Sequence, residues 1–293
     1  MYVILFSDCK ITTNYARMQI KNKIFTKKRK YLHICKKSST FAVRMNTKIV
    51  RLFHKACADY RLIEDGDHIL IGLSGGKDSL ALTELLGARS KIYKPRFRVT
   101  ALHVRVKERD YHSDLSYLQS FCTEAGVPLV VRDTEIGELR DTGIPGNRDI
   151  SNPCFLCSWY RRKTLFNAAQ ELGCNKIALG HHRDDLIETM LMNLIYQGSF
   201  ATMPPMLQME KMPLKIIRPL CLIDEALLIA HAEEQGYEKQ TVLCPFEHVS
   251  SREKAKELLA HIKAMNPEAM ESMYGAMSNV KADYLPNPVT HNP

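Results

Sequence analysis

From about residue 46 onward, short apolar runs alternate with stretches whose apolar residues recur at helical spacing. Ile69-Leu70-Ile71-Gly72-Leu73, Val99 to Val104, Pro128 to Val131, Lys176 to Gly180 and Lys215 to Leu220 predict five short buried strands. Between them lie predicted helices. One carries Leu80, Leu82, Leu85 and Leu86; one covers 114–125 and ends at Gly126; one runs from about Tyr160 to Leu172 and stops at Gly173. A further helix places Leu186, Ile187, Met190, Leu191, Leu194 and Ile195 on one face, and helices near 224–235, 251–264 and 267–280 finish the chain. Strands regularly separated by helices predict an α/β fold: a parallel sheet with helices on both faces, plus C-terminal helices. Ligands of such sheets bind beyond the carboxyl ends of the strands. The glycine- and proline-bearing stretch 134–153 is long for an idle connection and reads as functional.

Residues 1–44 do not join this pattern and contain the run Lys27-Lys28-Arg29-Lys30. They hold 11 of the 41 basic residues and one of the 32 acidic ones, leaving 30 against 31 in the rest. The formal charge of +9 therefore belongs to this segment and says little about the folded body. The segment reads as a basic, disordered or spurious extension ahead of Met45. The remaining divisions are 45–222 for the α/β body with its CxxC insertion, 223–285 for a helical region, and 286–293 for a tail. No stretch of 18 apolar residues occurs, so no membrane span and a cytoplasmic location are expected. Met1 to Phe6 is apolar but has no preceding basic residues, so it does not read as a secretory signal. Nine cysteines in a chain of 293 residues without an export signal favour free thiols or metal ligands over disulfides.

The first strand runs into Ser74-Gly75-Gly76-Lys77-Asp78-Ser79 and then a helix. Two glycines let backbone approach an anion, and the helix start aims free N–H groups and a positive dipole end at it. Lys77 adds charge, Ser74 and Ser79 add hydroxyls, and Asp78 beside phosphate implies a bridging Mg²⁺. The spacing matches neither a Walker A loop nor GxGxxG. A second segment, Gly180-His181-His182-Arg183-Asp184-Asp185, follows the fourth strand and opens a helix. The helix dipole alone accounts for Asp184 and Asp185 as well as a site would. Cys154-Phe155-Leu156-Cys157 lies just before a helix, where the dipole and Arg161, Arg162 and Lys163 favour thiolates. Half a zinc site, a redox pair and a pair of cluster ligands all fit a lone CxxC. Among later cysteines, Cys244 sits in a loop before Pro245, whereas Cys174 and Cys221 read as packing residues.

Ser74–Ser79 resembles the signature of the PP-loop ATP pyrophosphatases. Pro153-Cys154-x-x-Cys157 with Arg161-Arg162 resembles the tRNA 2-thiocytidine biosynthesis family, and Gly180 to Thr189 is similar to a segment of its thiolating branch. The resemblance spans about 46–285, including Met203-Pro204-Pro205-Met206, Ile217-Arg218-Pro219-Leu220 and Met277-Ser278-Asn279-Val280. It implies a Rossmann-like, adenine nucleotide alpha hydrolase-like sheet. It also implies ATP cleavage between the α and β phosphates, adenylation of C2 of cytidine 32 in the tRNA anticodon loop, and replacement of that oxygen by sulfur. Lys77, Asp78, Asp184 and Asp185 take catalytic roles in this reading. Ser74, Gly75, Gly76, Lys77, Asp78, Ser79, Gly180 and His181 bind ATP with Mg²⁺. Cys154, Cys157 and Cys244 hold a [4Fe-4S] cluster that delivers sulfur drawn from a cysteine desulfurase. Arg161, Arg162 and Lys163 either contact tRNA phosphates or solvate a helix face. A homodimer is compatible with this reading. Glu247 stands where the family commonly has the last cysteine of a second CxxC, which leaves the sulfur route open. The rivals are a tRNA lysidine synthetase, which shares the phosphate loop without cluster cysteines, and a non-catalytic iron–sulfur or zinc RNA-binding module.

Overall fold

The structure, a computed structural model, describes residues 47–106, 114–135, 153–238 and 251–286. The basic segment 1–44, most of the stretch 134–153, and Cys244 with Glu247 lie outside the described residues. The described elements all belong to one unit, Met45–Pro293. They are α1 (Thr47–Asp59), β1 (His68–Gly72), α2 (Lys77–Ser90), β2 (Arg98–Val106), α3 (Leu115–Ala125), β3 (Leu129–Thr134) and α4 (Pro153–Glu171). After these come β4 (Lys176–Ala178), α5 (Arg183–Gln197), β5 (Met206–Gln208), β6 (Lys215–Ile217), α6 (Glu225–Gln235), α7 (Ser251–Met265) and α8 (Ala269–Ala276).

The six strands form one sheet in the order β3-β2-β1-β4-β6-β5. All neighbouring pairs are parallel except β5–β6. Register is fixed by Ile69 opposite Val99 and Lys176, and by Ile177 opposite Ile216. The chain leaves β1 toward β2 on one side and returns to β4 on the other, so the order reverses between β1 and β4. A crevice opens at such a point.

Alternation along β1 separates two cores. Ile69, Ile71 and Leu73 face Phe53 of α1, Leu82 and Leu86 of α2, Leu118 of α3 and Leu228 of α6. Leu70 faces the other way, with Leu102, Ile177, and Leu165, Ala168 and Ala169 of α4. A third cluster joins Ile187 and Leu191 of α5 to Ala255 and Leu259 of α7 and Met270 of α8. Both C-terminal helices thus dock on the helix that starts beyond β4.

The five predicted strands are all present, whereas α1 has no predicted counterpart, and several elements differ in extent or kind. β5 is an antiparallel edge strand of three residues, too short for a period of its own. β6 stops at Ile217: Arg218 N–H still bonds the Pro205 carbonyl (2.8 Å), but Pro205 has no N–H to return that bond, and Pro219 has none to continue the ladder. α4 begins at Pro153, seven residues before the expected start, since proline suits the first helical position. Cys154 and Cys157 are therefore in the first turns of the helix, not ahead of it. α8 is shorter than 267–280 and gives way to turns after Ala276. Among the described residues no helix is long and apolar enough to cross a membrane.

Candidate active site

Ser74–Gly76 turns the chain from β1 into α2. Gly75 adopts φ +89°, a conformation other residues rarely tolerate. The loop is braced from inside by two hydroxyls. Ser79 Oγ donates to the Gly76 carbonyl (2.9 Å) and accepts from Gly75 N–H (3.2 Å), while Ser74 Oγ accepts from Gly76 N–H (3.3 Å). Ser79 is buried and shapes the loop; Ser74 faces the cavity described below. Lys77 Nζ reaches Asp78 Oδ2 (3.3 Å) and Glu225 Oε1 of α6 (3.1 Å). Burial opposes its charge, but these carboxylates prevail and raise its pKa. Burial raises the pKa of Asp78 against the pull of Lys77. Asp78 Oδ1 is buried without a partner, which leaves a carboxylate oxygen beside the phosphate loop available to a cation.

The second segment lies against the first. A Cβ on Gly180 would come within 3.2 Å of the Asp78 carbonyl carbon and the Ser79 nitrogen. Gly180 therefore lets the start of α2 pass close to the end of β4. His182 caps α5: its ring accepts from Asp185 N–H (3.4 Å), and Asp185 Oδ2 accepts from His182 N–H (3.0 Å). Asp184 Oδ2 accepts from Glu225 N–H at the start of α6 (2.8 Å). Both aspartates thus serve helix starts, as dipole reasoning alone allows, and the same bonds hold α5 and α6 beside the phosphate loop. Asp185 and Glu188 also pair with Arg252 of α7 (3.2 and 3.0 Å), and Lys256 approaches Glu188 and Glu225 (3.8 and 3.9 Å).

A cavity of about 750 Å³ opens beyond the strand ends, between the sheet and α4. Ser74, His103, His181, Arg161, Arg162, Arg218 and Arg252 line it, with Leu102, Leu165, Leu179 and Met203 as apolar wall. No aspartate or glutamate is among its described lining residues. His103 is buried, and its Nδ1 lies 2.8 Å from the Leu73 carbonyl, so Nδ1 carries the proton. His181 Nδ1 accepts from Arg218 Nε (3.2 Å). Burial, and then Arg218, press its pKa down to about 4, so the ring is neutral at pH 7.

Cys57, Cys122, Cys157, Cys174 and Cys221 are free thiols. Burial pushes Cys57 and Cys221 up to about 12, and Cys122 and Cys174 up to about 11, which suits packing residues. Cys157 is buried one turn before Arg161 on α4, the helix that walls the cavity. Cys154 stands three positions earlier in that helix. The structure thus gathers Ser74–Ser79, Gly180–Asp185 and the cysteine-bearing helix at one end of the sheet. Glu225, Arg252 and Lys256 were not foreseen. Arg218 had a visible signal, a charge inside an apolar strand; a glutamate in a first helical turn has none.

A family model described as the PP-loop domain matches residues 42–240. A tRNA-cytidine(32) 2-sulfurtransferase of Aliivibrio salmonicida is 36% identical over 244 residues, 83% of this chain and 78% of its own. The protein of that name from Sorangium cellulosum is 35% identical, over 83% of this chain and 84% of its own. Among solved structures, the U34-tRNA thiolase NcsA from Methanococcus maripaludis with its [4Fe-4S] cluster matches with a TM-score of 0.63 and 24% identity, covering 79% of this chain and 77% of that one.

Proposed function

This chain belongs to the PP-loop family, among the tRNA-cytidine(32) 2-sulfurtransferases, and on that premise we propose that it consumes ATP to replace the C2 oxygen of cytidine 32 in tRNA with sulfur. The observation that carries the reading is the meeting of two segments at the sheet's reversal point. The Ser74–Ser79 loop beyond β1 and Gly180–Asp185 beyond β4 lie side by side, and Ser74 of the first and His181 of the second line a cavity large enough for a nucleotide.

The chemistry takes two displacements. The C2 oxygen of the base attacks the α-phosphorus of ATP, the α–β bridge breaks, and pyrophosphate leaves. A hydrosulfide-level sulfur then adds to C2 and loses its proton, and AMP departs with the original oxygen. Adenylation turns a poor leaving group into a good one. Lys77 and the start of α2 hold the phosphates and offset the charge that collects on pyrophosphate. Lys77 must exchange Glu225 for a phosphate oxygen, and Lys256 stands by to keep Glu225 paired. The buried, unpartnered Oδ1 of Asp78 fits Mg²⁺, which would be held there against the phosphates. The apolar wall suits the two bases, and the cavity arginines suit their phosphates.

Cys154 and Cys157, three positions apart at the start of α4, suit two ligands of a [4Fe-4S] cluster, with Cys244 as the third. Such a cluster would supply an iron able to bind sulfur. The anticodon loop of a cytoplasmic tRNA is the substrate in this reading, and a cysteine desulfurase the sulfur source.

Pyrophosphate release from ATP by the cluster-loaded protein, with and without tRNA, tests the first displacement. Mass spectrometry of the tRNA nucleosides tests the second. The wild type is expected to release pyrophosphate in a tRNA-dependent way and to form 2-thiocytidine, with Lys77→Met slower by about 10²–10³. Absence of tRNA-dependent release from folded wild type rules the reading out.

A further inference from the structure

Among the described residues two cationic side chains, Lys176 and Arg218, are almost fully buried, and the protein treats them differently. Lys176 is 0% exposed and is surrounded by Asp67 (2.7 Å), Glu64 (3.0 Å) and the Leu62 carbonyl (3.2 Å). That is how a structural buried charge is satisfied: paired and hydrogen-bonded. Arg218 is 6% exposed and has no carboxylate within ion-pair distance among the described residues. Its Nε donates to neutral His181 (3.2 Å) and its Nη1 to the Pro204 carbonyl (2.6 Å), which orient the guanidinium without neutralising it. Its backbone is pinned as well, N–H to Pro205 (2.8 Å) and carbonyl to Cys221 N–H (3.1 Å).

A desolvated guanidinium without a counter-charge is costly unless an anion arrives. Arg218 lines the cavity that also contains Ser74 of the phosphate loop, and the other described lining residues include no carboxylate. Arg252, on the same wall, is already engaged by Asp185 and Glu188. Resting on the ATP-dependent reading of this cavity, we infer that Arg218 is an anion receptor for a phosphoryl group of the reactants, and that His181 is its positioning residue. A guanidinium fork matches a pair of phosphoryl oxygens. A protonated His181 would repel it, and the burial that keeps the ring neutral leaves Nδ1 free to accept. Both the nucleotide and the RNA backbone offer the required oxygens.

The test uses the full chain with its cluster, titrated separately with Mg-ATP and with an anticodon stem-loop RNA, in wild type, Arg218→Met and Arg218→Lys. Arg218→Met is expected to weaken one ligand at least tenfold while the melting temperature holds or rises, since an apolar replacement removes an unpaired buried charge. A purely structural arginine would do the reverse, with stability lost and affinities kept. Loss confined to ATP assigns the phosphoryl group to the nucleotide. Loss confined to RNA, with the slope of log K against log salt reduced by about 0.7–0.9, assigns it to the backbone. If Arg218→Met does not fold, Arg218→Lys still decides, because it keeps the charge and loses the fork. Affinities within twofold of wild type for both ligands overturn the inference. Wild type that binds neither ligand overturns the reading of the cavity itself.

Discussion

His181 stands three residues past the end of β4, buried beside Arg218, and its neutrality has a thermodynamic consequence. Its folded pKa of about 4 lies below the unfolded 6.5, through burial first and Arg218 second. Above pH 6.5 the ring is neutral in both states and its burial costs nothing further. As pH falls from 6.5 toward 4 the unfolded chain takes up a proton that the folded one refuses. Stability therefore drops across that window, by about 3 kcal/mol in the limit. His68 and His103, also pressed down chiefly by burial, add to the slope. His181→Gln keeps an acceptor for Arg218 and removes this group's titration. Urea unfolding at pH 7 and 4.5 is expected to show a smaller loss in this variant than in wild type. An identical loss would mean that the ring is protonated in the folded state. Nothing in the sequence foretold the histidine's role, because its partner lies 37 positions away.

At the level of elements, the strand-loop-helix unit of β1 and α2 was legible because apolar run, glycine pair and helical spacing follow one another within 20 residues. The cap at Gly126 was legible for the same local reason. What local pattern does not carry is how two such units meet. Gly180 reads as a ligand-contact residue in sequence, yet in the fold it sets the distance between the end of β4 and the start of α2. Gly87, unremarked in sequence, lets α2 approach α3 more closely still: a Cβ there would stand 2.6 Å from the Ala125 carbonyl oxygen. The two glycines should separate when each becomes alanine. Gly87→Ala overpacks a helix contact away from the nucleotide and is expected to cost about 1–3 kcal/mol, with ATP affinity unchanged. Gly180→Ala needs a shift of only a few tenths of an ångström, but of the backbone that holds Lys77 and Asp78. It is expected to cost less stability and to weaken Mg-ATP binding about tenfold. Calorimetric titration together with melting curves checks both, and equal ATP affinity in the two variants would show that the Gly180 contact does not shape the loop.

Over the whole molecule, charge and chemistry are segregated. The body beyond residue 44 is close to neutral overall, with 30 basic against 31 acidic residues. Four arginines line the cavity, and its described lining contains no carboxylate. The sequence shows the first fact by counting, but the second exists only after the strand ends, α4 and α7 converge, so composition alone does not locate it. On the proposed function, these two pools of charge would act on RNA at different ranges. Residues 1–44, with 11 basic residues, would add unspecific attraction that salt screens within about 8–10 Å, and the cavity arginines would act on phosphates already in place. Deleting residues 1–44 is therefore expected to weaken tRNA binding at low salt and to flatten its salt dependence. Pyrophosphate release at saturating tRNA should stay within about twofold of the full chain. Rates measured against tRNA concentration at 50 and 200 mM salt separate the two effects, because the deletion then raises the half-saturating tRNA concentration and spares the maximal rate. A collapse of the maximal rate would mean that the basic segment takes part in the chemistry, and that the unit from Met45 onward is not the complete catalyst.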